Sequence, residues 1–257
     1  MHEWMVCGDL KILTTLLGQQ GGHTKFPCFL CEWDSRARDK HWIRKDWPQR
    51  ESLTVGTKNV VNVPLVPSNK ILLPPLHMKL GLMKQFVTAL NKEGLCFQYL
   101  CSLFPRISNQ KITAGVFDGP QIRKLMKDLH FVDYMLSTEK AAWLSFKEVV
   151  ENFLSNSKSV EYEQLVNNML TNFHQLGCNM SLKVHILHSH LHYFPENLGD
   201  FSEEQGERFH QEIKTMEHRY PGVWNQAMLA DYCWTLKRDL PIQNKKKASK
   251  RTFSQTY

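Results

Sequence analysis

One strand-like stretch, Met5 to Asp9, stands in a chain whose remaining periodicity is almost entirely helical. It is apolar until it ends on an acid, the pattern of a strand buried on both faces. Such a strand needs neighbours, and this sequence offers few. The next β-like run, Val60 to Val66, contains Pro64 and is followed by Pro67. Proline removes a ladder donor, which demotes the run to an edge or an extended segment. Elsewhere apolar residues recur at helical spacing: Ile12, Leu13, Leu16 and Leu17; then Leu76, Leu80, Met83, Phe86, Val87 and Leu90; then Ile122, Leu125, Met126 and Leu129 behind Gly119-Pro120. Further helices are expected at 97–104, at 141–154 with Thr138 as cap, at 160–176, at 181–190 and at 224–236. Another starts at Ser202, with Gln205 at capping-box spacing, and runs through Met216. About eight helices and one or two strands make an α+β chain that is mostly α, with too few strands for a complete α/β domain.

The stretch behind the first helix is harder to fold. Residues 34–50 are polar and tryptophan-rich, with no clear period, so something other than a regular ladder must hold them. Cys28-x2-Cys31 supplies a candidate, since two thiolates at this spacing on a turn can share one metal ion. A mixed Cys and His set makes zinc the expected ion, with His23, His41 and His77 as the nearby imidazoles. The alternatives are two free thiols, or a redox C-x-x-C beside a βα unit. A second histidine cluster, His185, His188, His190 and His192, lies far downstream. His185 and His188, three apart, share a helix face and could bind a metal or phosphates, or be core histidines with satisfied partners. Asp9 ends a strand, and Glu203, Glu204 and Glu207 open a helix. Carboxylates so placed could hold divalent cations for phosphoryl transfer. Acids in a first helical turn also favour the helix dipole for its own sake.

Charge and cysteine usage bear on partners and compartment. The formal charge of +7 suits a polyanionic partner. Part of it is local to Lys245, Lys246, Lys247, Lys250 and Arg251, in a polar tail (241–257) expected to be disordered: a solvated tail, or one for nuclear import or nucleic acid. Seven cysteines, five of them in apolar surroundings, read as reduced intracellular usage, nuclear or cytoplasmic. No apolar run approaches the roughly 18 residues of a membrane span, and no signal peptide is recognisable.

Taken in order, these stretches resemble the catalytic region of eukaryotic cut-and-paste transposases of the DDE class, most of all the CACTA-type group. The matching text is Gly8-Asp9-Leu10-Lys11, then Gly22-His23-Thr24-Lys25, then Pro27-Cys28-Phe29-Leu30-Cys31. Leu76-His77-Met78-Lys79 follows, then His185-Ile186-Leu187-His188 with His190-Leu191, then Gly206-Glu207-Arg208. The run from Cys28 to Arg36 is also similar to that of transposon-derived proteins in animal genomes.

The resemblance implies an RNase H-like domain with a large helical insertion between its second and third acids. Asp9 and Glu207 would be the catalytic, Mg²⁺- or Mn²⁺-binding positions, acting on DNA. Cys28, Cys31 and His77 would anchor a structural Zn²⁺, with His41 the best fourth ligand. The catalytic region would span 1–240, with the zinc-knuckle segment at 23–77, the helical insertion at 78–180 and the C-terminal helices at 181–240. The family's first catalytic Asp lies upstream of the part matched here, so the resemblance implies an N-terminally truncated copy, inactive by itself. DNA and a second copy of the chain are the expected partners; neither a membrane nor a small-molecule substrate is. The rival expectation is a zinc-stabilised module that binds nucleic acid or protein without catalysis. A thiol-redox protein is the third, and requires an exposed Cys28 with no histidine in reach.

Overall fold

The structure, a computed structural model, describes residues 4–156, 158–198, 213–222 and 225–237. The chain divides into two units, Met1–Gln205 and Gly206–Tyr257. The described residues are mostly helical, with one two-stranded sheet.

The first unit opens with β1 (Val6–Cys7) and α1 (Leu10–Leu16). Asp9 stands between them as the N-cap. Its backbone is extended and its carboxylate accepts the Ile12 N–H at 2.7 Å, an arrangement worth about 1 kcal/mol. Beyond α1, Gly18 holds a φ of +67°. Any side chain there would meet the Asn62 carbonyl, 2.1 Å from the position of a Cβ, because Val61 and Asn62 both donate their N–H groups to the Gly18 carbonyl. The Val60 to Val66 run crosses at this point and forms no strand; Val60 makes a single antiparallel bridge to Gln19. The partner of β1 is instead β2 (Ile71–Leu72), parallel to it, with Val6 opposite Ile71 and Cys7 opposite Leu72. A two-residue strand buried on both faces shows no alternation, so the sequence carried no sign of it.

From Pro75 the unit is helical: α2 (Pro75–Ala89), α3 (Leu95–Leu103), α4 (Asn109–Thr113), α5 (Gly119–Met126), α6 (Ser137–Asn152), α7 (Tyr162–Leu176) and α8 (Leu182–Ser189). Local chemistry sets their ends. Pro75 occupies the first turn of α2, where a missing N–H costs nothing. Asp118 and Gln121 form a complete capping box at α5, with bonds of 2.8 and 3.0 Å. At α6 the expected cap is displaced. Thr138 lies within the first turn, and the Glu139 carboxylate reaches back to accept the Leu136 N–H at 2.9 Å. Gly177, at φ +87°, ends α7 in the left-handed conformation that glycine adopts freely.

Trp143 of α6 is the centre of the core. Its ring lies 5.4 Å from Phe86 of α2, 5.0 Å from Phe131 and 5.7 Å from Phe146, which continues to Phe173 of α7 at 6.2 Å. All five are fully buried, each worth about 1.5–3 kcal/mol by transfer alone. α8 packs against α2 and α7 and buries Val184, His185, Ile186 and Leu187 in succession. That run carries His185 into the interior.

In the second unit, residues 213–219 are helical and a further helix covers Gln226–Lys237. Ile213, Met216 and Met228 form a small apolar cluster with Tyr220 and Tyr232, and Arg219 pairs with Asp231 at 2.9 Å. Glu203, Glu204, Glu207 and the basic tail lie outside the described residues. No described helix is long and apolar enough to cross a membrane.

Candidate metal centre

The knuckle is shaped by backbone pairing. Cys31 bridges antiparallel to Gln49, the Glu32 N–H donates to the Pro48 carbonyl at 2.8 Å, and the Arg50 N–H donates to the Leu30 carbonyl at 3.0 Å. The Arg50 guanidinium then ties the loop together. It donates to the carbonyls of Phe26 at 2.9 Å, Lys58 at 2.8 Å and Cys31 at 3.2 Å. The result is a tight turn whose two thiols, Cys28 and Cys31, are both buried.

Two imidazoles meet them from α8. His185 is within the helix, and His190 is the first residue past it. Five residues along a continuous helix would put the two side chains roughly 140° apart around the axis. The helix ends at Ser189, and His190 takes φ −132° and ψ 35°, which frees its ring to come round to the same site. One ligand atom from each of Cys28, Cys31, His185 and His190 lies within 4.8 Å of all the others. Cys31 Sγ is 3.2 Å from His185 Nε2 and 3.1 Å from His190 Nε2. Zinc bonds of tetrahedral length imply edges of roughly 3.3–3.8 Å between ligand atoms. The four residues therefore stand at the scale of a single ion and could hold one.

Charge at the site points the same way. Burial pushes the Cys28 thiol up, but hydrogen bonds from Cys31, His185 and His190 outweigh it and hold the group well below the ordinary thiol range. Cys31 moves the other way, pushed up by its hydrogen bond to Cys28 and by burial. The pair thus carries one negative charge readily and a second only beside a cation. A bound divalent ion is such a cation, and thiolates are the form that binds it. Burial holds His185 below its ordinary value, against the pull of Cys28, which keeps the imidazole in the neutral form a metal needs. Arg50, itself lowered by burial and raised by Cys28, adds positive charge beside the thiols.

The sequence-derived ligand set is only half reproduced. Cys28 and Cys31 come together, but the other two places in the cluster are filled by His185 and His190, not His41 and His77. His41 is buried nearby with its Nε2 engaged by the Asp34 carbonyl at 2.8 Å, and its ring is tilted against Trp33 at 5.0 Å. Trp33 stacks in turn on His185 at 4.5 Å and 6°, so His41 braces a member of the cluster from behind. His77 is half-buried in the first turns of α2, and His23 is exposed. His188, expected to share a face with His185, turns to the edge of Trp42, and burial with His185 and Lys45 close by takes it down to about 4. The sequence held no sign of Arg50. For His190 the one available signal was the histidine run itself. Asp9, expected to end the strand, lies two residues past β1 as the N-cap of α1, with one carboxylate oxygen committed to that cap, while Glu207 lies outside the described residues. A thiol-redox site needs an exposed Cys28 away from histidine; Cys28 is buried beside two of them.

Residues 1–66 match a family model described as a domain of unknown function (DUF8703), and residues 75–155 match a second of the same description (DUF8704). No curated protein and no solved structure matches the chain. The first match contains Cys28 and Cys31, whereas His185 and His190 lie beyond both.

Proposed function

We propose that the chain is a zinc-stapled, transposable-element-derived module related to the catalytic region of DDE transposases, in which zinc is structural. The carrying observation is the closed, buried set of two sulfurs and two imidazole nitrogens drawn from opposite ends of the first unit. A tetrahedral zinc with every place taken by protein leaves no position for water or substrate, so it holds segments together and does no chemistry. Cys28, Cys31, His185 and His190 would hold it, and Arg50 and Trp33 would fix the two sides.

The transposase relation rests on motif order. Its structural support is that Asp9 lies two residues past β1 and that β1 and β2 run parallel with α1 between them, the strand–helix–strand step an RNase H-like domain would keep. On this reading Asp9 and Glu207 descend from carboxylates that held Mg²⁺ or Mn²⁺ on DNA. Activity by this chain alone is not part of the proposal. One observation favours the second reading, a zinc-stabilised binding module without catalysis: Asp9 already serves α1 as its cap. Seven cysteines with no disulfide among them suit a reducing compartment on either reading, nuclear or cytoplasmic.

Metal analysis of the purified chain tests the staple. One zinc per chain is expected in the wild type and in His41→Ala, and much less in Cys31→Ser and His185→Ala. A wild type that carries no zinc ends the proposal. The ancestry is tested by a structure solved with Mn²⁺: Asp9 and Glu207 carboxylates more than about 10 Å apart could not serve a shared metal pair.

A further inference from the structure

A half-open cleft of about 770 Å³ lies beside the metal centre, walled by the knuckle segment, α2 and the start of α8. Its charge is one-sided. Arg36, Arg38 and Lys84 line it, and no aspartate or glutamate does. All three are exposed, and none has a carboxylate within ion-pair distance among the described residues. Asp34, close in sequence, is taken up by Lys25 at 3.4 Å and by the Arg36 backbone N–H at 2.9 Å. α8 opens at Ser181 in the same cleft and adds the partial positive charge of a helix N-terminus. A concavity lined by one sign of charge concentrates ions of the other.

The wall has a second peculiarity. Thr24 Oγ1 and Trp33 Nε1 are without hydrogen-bond partners among the described residues, and their side chains sit in the lining at 6% and 2% exposure. A buried donor left unpaired costs about 1–3 kcal/mol, and folded proteins keep few of them. These two atoms are themselves closed off from solvent, so the anion preference of the cleft rests on its three uncompensated cations.

We propose that this cleft binds a phosphate-bearing ligand, with Arg36, Arg38 and Lys84 on the phosphoryl oxygens. A guanidinium fork meets two phosphate oxygens at once, and a lysine serves as a point charge. A free phosphate ester and the backbone of a nucleic-acid strand offer the same chemistry, and a half-open cleft admits both. The proposal goes beyond the zinc staple, since none of the three cations is a metal ligand.

Two probes on the protein as purified test it: inorganic pyrophosphate by titration calorimetry, and a short fluorescent single-stranded oligothymidylate by anisotropy. At least one binds. The Arg36→Ala/Arg38→Ala double variant weakens that binding about tenfold or more, the loss of a charged hydrogen bond. Lys140→Ala, on the exposed side of α6, changes it less than about twofold, as a remote surface charge should. Tighter binding of pyrophosphate assigns a free phosphate ester, and binding of the oligonucleotide alone assigns a strand. The proposal is overturned if neither probe binds, or if the double variant loses no more than Lys140→Ala. Both arginines are exposed, so the double variant keeps the wild-type helix signal and zinc content, and a zinc-free wild type would sink the staple while leaving this titration to be judged separately.

Discussion

Residues 75–198 and residues 19–72 of the first unit reach order by different routes. The former are helices packed on a shared aromatic core, with Trp143 touching rings from α2, α6 and the turn at Phe131. The latter contain a two-residue strand, two short 3₁₀ turns and two isolated bridges. Phe29, Trp33, Trp47, Val66 and Ile71 reach the core from that stretch, but Val61, Val63 and Leu65 are exposed, so apolar burial anchors it at points without making regular elements. Its backbone groups are satisfied by side chains: Arg50 on three carbonyls, Asn59 accepting the Phe26 N–H at 2.8 Å, Ser35 donating to the Thr24 carbonyl at 2.6 Å. Stability in the body is spread over many contacts. In the knuckle segment it is concentrated in a few buried anchors, a few polar clamps and the two thiols that meet His185 and His190.

Stripping the metal should separate the two regions most sharply. Metal binding is worth about 10–16 kcal/mol to zinc-finger peptides, so its loss should open 19–72 to protease while the far-UV helix signal survives in large part. Loss of the whole helix signal with the metal would erase the distinction. Trp143→Ala should do the reverse: about 3–5 kcal/mol off the urea-unfolding free energy, with one zinc per chain retained. Arg50→Lys keeps the charge but not the fork; a loss of about 2 kcal/mol, with faster cleavage confined to 19–72, is the expected result of limited proteolysis and urea titration. Smallest is Asp9→Ala, which removes the α1 cap for about 1 kcal/mol, whereas Asp9→Asn, also a good cap, should unfold at nearly the wild-type denaturant concentration.

The helical body was largely legible because its signals are local. The apolar spacing of 76–90 and the helix opened by Gly119-Pro120 are each written within a few residues, and the structure bears them out, except that Leu129, expected on the second helix's face, lies past its end and is exposed. The cap at Thr138 was misplaced because Glu139 supplies the reach-back bond without any capping hydroxyl. At the metal centre the C-x2-C half was legible for the same local reason. The imidazole half was not, since Cys31 and His185 are 154 residues apart. The His185 and His188 spacing, readable as a metal or phosphate face or as core histidines, assumes a continuous helix, whereas the pair that meets the thiols needs α8 to stop at Ser189. No periodicity encodes that ending. Nor does composition encode an arginine that answers three carbonyls.

The account turns on four particular ligands. X-ray absorption at the zinc edge of the purified wild type reads them directly: two sulfurs near 2.3 Å and two imidazole nitrogens near 2.0–2.1 Å are expected. His185→Ala should lose one imidazole contribution, and His41→Ala should leave the spectrum unchanged. A shell lacking either sulfur, or one that changes with His41 and not with His185, would contradict it.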